Sequence, residues 1–213
     1  KMLFIGQMEL KNITHPEETY LLGKVNKMYI TTDGISSLAN NFNERPKSLP
    51  APVVKLGTIN FTGEISGFFD NLVAFGKLSS SIGSIQTDLI FGSNKDKNIA
   101  AYLRGRIASS NLRLHELFGE NNPFGEARFD INIDTRRPVG GNFSGNIQAQ
   151  VKEFDYKAYK YKDINLSGNF KKSSFDGTIH VNDPNGELYA QGIFQHQGQN
   201  SLFNFTARLD HFR

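Results

Sequence analysis

Asp130 and Asp134 stand on either side of Asn132. Paired carboxylates are the equipment of a glycoside hydrolase, which needs two such groups about 5–9 Å apart. The surrounding segment alternates, however. Ala127, Phe129, Ile131 and Ile133 take one parity, and Arg128, Asp130, Asn132 and Asp134 take the other. Both acids then belong to the solvated face of a strand, and that reading outweighs catalysis. The histidines His15, His115, His180, His196 and His211 are dispersed. His180 and His196 are expected to meet across a hairpin at Asp183–Gly186, but two imidazoles without a third ligand make a poor zinc site. Tyr156, Tyr159 and Tyr161 offer rings for stacking sugars or bases, although a place at a sheet rim suits them better. There is no nucleophile-elbow sequence and no phosphate loop. The sequence therefore assigns no catalytic residue, no metal ligand and no cofactor, and a non-enzymatic role is expected.

Composition narrows the field further. The chain has 213 residues, of which 38% are hydrophobic, with 20 Gly, 18 Phe and neither Cys nor Trp. The net charge of +3 is mild, and Lys and Arg are scattered rather than gathered on one face, so nucleic acid is not expected as a partner. No disulfide is possible, and no run approaches the ~20 apolar residues of a membrane helix. The first residues, Lys1–Gly6, do not make a signal peptide. A chain running from Lys1 to Arg213 is expected to be an internal piece of something longer.

Alternation at period two governs most of the sequence. Ile164, Leu166 and Phe170 face one way, with Gly168 in phase; Ile179 and Val181 follow after Phe175-Asp-Gly. Asp183-Pro-Asn-Gly then predicts a type I turn with Gly186 in the left-handed region. Beyond it come Leu188, Ala190, Gly192 and Phe194, then Phe203, Phe205, Ala207 and Leu209. Upstream, the same pattern is carried by Ile59, Phe61 and Ile65, then Leu72, Ala74 and Leu78, then Ile85, Leu89 and Phe91, then Leu103 and Ile107. Phe143, Ile147 and Val151 continue it. Residues 2–31 read as two strands, with Tyr20, Leu22, Val25 and Tyr29 as packing residues and a slip near Gly23. Asp33–Phe42 predicts a short helix with Asp33 as N-cap, since Ile35, Leu38, Ala39 and Phe42 share one face. Residues 43–52, with Pro46, Pro50 and Pro52, read as a linker. The expectation is one module of about eleven strands. Residues 1–48 supply two strands and the helix, and 49–213 the repeated strands.

Short turns between long strands make an antiparallel meander, and strands apolar on one face only must hide that face. A closed β-sandwich with a binding or adhesion role would do so. A sheet curled into an open trough would also do so. Gly63, Gly76, Gly105, Gly145, Gly168 and Gly192 all fall within apolar rows, which suggests tight bending toward them.

Three stretches carry a family resemblance. They are Tyr161–Phe170, Phe175–Gly186, and Leu188-Tyr-Ala-Gln-Gly192. Together they resemble the repeat of the TamB and AsmA-like superfamily of Gram-negative envelope proteins. Leu49–Gly63, Gly76-Lys-Leu-Ser-Ser and Gly83–Leu89 are similar to TamB-like proteins of the Bacteroidetes type. The resemblance implies a long β-sheet rolled into an open, taco-like groove in the periplasm. It implies an inner-membrane anchor helix outside this fragment, and phospholipid acyl chains as the cargo. It also implies a role in outer-membrane biogenesis, with an Omp85-type outer-membrane barrel as partner, and no enzymatic activity. The groove would be lined by the alternating positions: Ile59, Phe61, Ile65, Leu89, Phe91, Leu103 and Ile107; Phe129, Ile131, Ile133, Phe143, Ile147 and Val151; Ile164, Leu166, Phe170, Ile179 and Val181; Leu188, Phe194, Phe203, Phe205 and Leu209.

Overall fold

The computed structural model describes residues 1–15, 18–41, 54–94, 96–119, 122–197 and 200–211. The strands are β1 (Met2–Lys11), β2 (Tyr20–Ile30), β3 (Ile59–Phe68), β4 (Asn71–Ser80), β5 (Gly83–Asn94) and β6 (Ile99–Arg113). They continue as β7 (Phe124–Pro138), β8 (Ser144–Tyr156), β9 (Tyr159–Lys171), β10 (Ser174–Asp183), β11 (Gly186–Gln197) and β12 (Asn200–Asp210). Helix α1 (Thr32–Asn41) follows β2, and α2 (Leu114–Phe118) follows β6. Each strand pairs antiparallel with its sequence neighbours, so a single 12-stranded sheet runs in the order β1 to β12. Its two ends do not meet, and the sheet is open. The expected all-β meander is the fold. No second sheet covers it among the described residues, so the apolar face is not hidden as in a sandwich.

The fully buried core sits at one end of the strands. Ile30, Ile59, Ile82, Leu112 and Ala127 gather there, where α1 leaves β2 and α2 leaves β6. Thr31, rather than Asp33, caps α1: its Oγ1 accepts a hydrogen bond from the Gly34 N–H at 3.3 Å, because the chain leaves β2 one residue earlier than the acidic residue suggests. Phe42 and the proline segment 43–52 lie outside the described residues.

Three further local readings need correction. In β2 the register shifts between Val25 and Met28 against β3. This bulge puts Leu21, Gly23, Val25, Met28 and Ile30 on the apolar face. Of the four expected packing residues only Val25 lies there, and Leu22 is 46% exposed on the other side. In β9, Asp163 adopts φ +46° beside the Lys152 position of β8, and the two side chains pair at 3.3 Å. A residue in that conformation re-aims the strand, so Tyr161 and Tyr159 turn onto the apolar face. Finally, Asp183 pairs directly with Gly186. Pro184 and Asn185 alone make the turn, and Gly186 opens β11 without entering the left-handed region.

Candidate functional site

Strand pairing aligns the alternating residues into rows that run across all twelve strands. One row is Met8, Gly23, Ile65, Ala74, Leu89, Gly105, Ile133, Ile147, Gly168, Gly177, Gly192 and Phe205. Beside it runs Gly6, Val25, Gly63, Gly76, Thr87, Ile107, Ile131, Ala149, Leu166, Ile179, Ala190 and Ala207. A third row passes from Leu10 through Phe91, Phe170 and Phe194 to Phe203, and a fourth from Phe4 through Phe61, Val151 and Leu188 to Leu209.

No charged residue interrupts these rows. The hydroxyl residues in them are Thr87, Ser109 and Thr135, and each returns its proton to a carbonyl of the neighbouring strand: Gly76 O at 3.4 Å, Ser84 O at 2.7 Å and Leu103 O at 3.3 Å. Their polarity is thereby withdrawn from the surface. At 4.8 Å between strands and about 6.8 Å between alternate residues, the apolar strip is roughly 50 Å long and 20 Å wide.

Of the lining residues expected from the sequence, all but two fall on these rows. Ile59 lies just beyond the fourth row, in the buried end. Phe143 precedes β8 and stacks under the Arg137 guanidinium, 5.5 Å from the ring centroid. Exposure changes along the strip: Val25 and Phe61 are only 4% and 6% exposed, whereas Phe203, Phe205 and Leu209 on β12 all exceed 50%. Over β10–β12 the strip forms a trough of about 550 Å³, walled by Phe175, Ile179, Ala190, Phe194 and Phe203. Leu188 joins it to a smaller hollow of about 360 Å³ at the rim, lined by Tyr159, Tyr161, Asp183 and Asn185. The sequence points to Tyr159 and Tyr161 only as rim residues. Their place in a hollow could not be read without the turn at Asp163.

The opposite face carries the charge. Arg106 grips Asp130 through Nε at 2.8 Å and through Nη2, and that contact holds the Asp130 carboxyl below the usual carboxylate range. Arg104 takes Asp134 at 3.0 Å. Each candidate acid is thus tied to its own arginine. A hollow of about 820 Å³ over β4–β9 on this face is lined by Lys97, Arg104, Arg136 and Lys171, with Asp134 as the acid among them, so its charge is predominantly positive. His180 and His196 do not meet. His180 lies opposite Tyr189 and contacts Glu187 at 2.7 Å, while His196 is far along β11 beside Ser201 at 3.1 Å. No cluster of metal-ligating side chains occurs among the described residues, and no described helix is long and apolar enough to cross a membrane.

No family model, no curated protein and no solved structure matches the chain.

Proposed function

We propose that this protein is a non-enzymatic lipid-conducting module of a Gram-negative cell envelope, its uncharged strip carrying phospholipid acyl chains. The observation behind this is the continuity of the four apolar rows across twelve strands, open to one side. Each methylene laid on such a surface gains about 0.8 kcal/mol over exposure to water, and nothing along the strip demands a polar partner. On this reading the module works in the periplasm in support of outer-membrane biogenesis. An inner-membrane anchor outside the present chain and an Omp85-type barrel complete the route. The resemblance of residues 161–192 to the TamB and AsmA-like repeat agrees with it.

A photo-crosslinking residue at position 147 tests the proposal in cells. Lipid adducts are expected there and not from position 148, which faces the other side. Ile147→Asp or Leu166→Arg should abolish the function of the parent protein, because an unpaired charge on the strip must be desolvated beside the passing chain. Adducts in equal yield from both positions, or none from either, would remove the proposal.

A further inference from the structure

We propose that the hollow at the rim receives the cationic amine head of an amphiphile whose tail lies in the trough over β10–β12. This rests on the lipid reading above and adds the class of head group. The two hollows share Leu188, so a single molecule can occupy both.

The chemistry of the rim is built around Asp183. Its Oδ1 accepts hydrogen bonds from the Tyr159 hydroxyl and from the Asn185 N–H at 3.0 Å, and its Oδ2 accepts one from the Lys162 N–H at 3.0 Å. Asn185 Nδ2 in turn donates to the Tyr159 hydroxyl at 2.7 Å. The carboxylate is therefore fixed in place, and Oδ2 keeps a free acceptor position. Partial burial pushes the carboxyl up, but the three hydrogen bonds and the nearby Lys162 charge outweigh it and hold the group below the usual range. A fixed anion beside an apolar wall is complemented by an N–H cation. Tyr159 and Tyr161 meet edge to face, with centroids 4.6 Å apart, and so present a ring face of the kind that attracts ammonium groups. Among the described residues the one charged group lining this hollow is the Asp183 carboxylate, so an anionic head would meet that carboxylate directly. The preference runs against the protein's net charge of +3, so non-specific attraction would not imitate it.

The test measures binding of decylamine, decanol and decanoate to the whole protein by calorimetry, below their micellar concentrations at pH 7. Decylamine is protonated there. It should bind at least about tenfold more tightly than the other two. Asp183→Asn should remove that advantage and leave decanol unchanged. Tyr161→Leu leaves the Asp183 hydrogen bonds alone and should reduce the amine preference by itself, so it decides the matter if the asparagine variant fails to fold. Equal binding of all three ligands would overturn the amine site while the trough stands as a tail site. Failure of all three to bind would overturn the lipid reading and this proposal together.

Discussion

Gly168 and Gly177 stand opposite each other in β9 and β10, and a Cβ on either would lie 2.7 Å from the other's Cα. Real Cβ atoms do not come so close to a backbone. The two strands therefore approach at a distance that only a glycine pair permits. Gly63 and Gly76 repeat the relationship between β3 and β4, with separations of 2.6 and 2.8 Å. Side-chain volume on the apolar face would force such strands apart, and the rows would lose their alignment.

Gly177→Val should accordingly lower stability by about 1–3 kcal/mol, the usual range for overpacking, and lower the thermal midpoint with it. Gly23→Ala is the matched control. Its new Cβ would meet only the Ile65 carbonyl at an ordinary 3.5 Å, so stability should hold or rise slightly through the reduced entropy of the unfolded chain. Equal losses in the two variants, measured by denaturant unfolding, would mean that close strand approach is not what these glycines provide.

Phe61 and Phe75 test the sidedness of the sheet. Phe61 lies on the fourth apolar row and is 6% exposed; Phe75 points from β4 to the polar side and is 60% exposed. Phe61→Ala should cost about 3–5 kcal/mol. Phe75→Ala should stay within about 0.5 kcal/mol of the wild type, as surface substitutions do. Both numbers come from the same denaturant titration.

Much of this organisation was legible beforehand. Alternation identifies both faces over the regular stretches of β3 to β12, because a meander with short turns leaves register little freedom there. Ile131, Ile147 and Leu166 are on the strip for that reason. Legibility failed where the backbone broke its own period. The period breaks at Asn26-Lys27, where nothing in the residues announces it, and not near Gly23, where the register is regular; Tyr20, Leu22 and Tyr29 therefore lie off the apolar face. Asp163 looked like one more polar strand residue, yet its positive φ sends Tyr161 and Tyr159 into the rim hollow. The Asp183 site needed the pairing of β9 with β10 before its donors could be named. Local pattern carries side-chain parity; it does not carry which turn residues reach across to a neighbouring strand.

The variants that block the strip should remain folded. Leu166 is half-buried on an uncovered face, so an arginine there can reach water along its own stem. Leu166→Arg should lower stability by less than Phe61→Ala, under about 3 kcal/mol. Far-UV circular dichroism should keep its strand signature. Outright unfolding would show that the strip is a covered core in solution.

The rim hydrogen bonds make stability depend on pH in a definable way. Asp183 has a folded pKa below its unfolded value, which is near 3.9. Below that value the unfolded chain binds the proton more readily, so stability rises with pH there. The contribution is fully present above about pH 4 and is lost as the pH falls through the depressed folded value. Tyr159 behaves in the opposite sense. Its hydrogen bond to Asp183, with burial adding to it, holds the phenol above its ordinary value of 10.0. That contribution is present below about pH 10 and disappears as the pH climbs through the raised folded value. The hairpin at Pro184–Asn185 is thus held best between these limits. Thermal midpoints of the wild type and Asp183→Asn, followed by circular dichroism from pH 3 to pH 11, check this directly. The gap between the two proteins should be constant from about pH 5 to pH 9 and close toward pH 3. Tyr159→Phe should flatten the alkaline limb relative to the wild type. A gap that persists unchanged at pH 3 would mean that the carboxylate's charge plays no part in holding the rim.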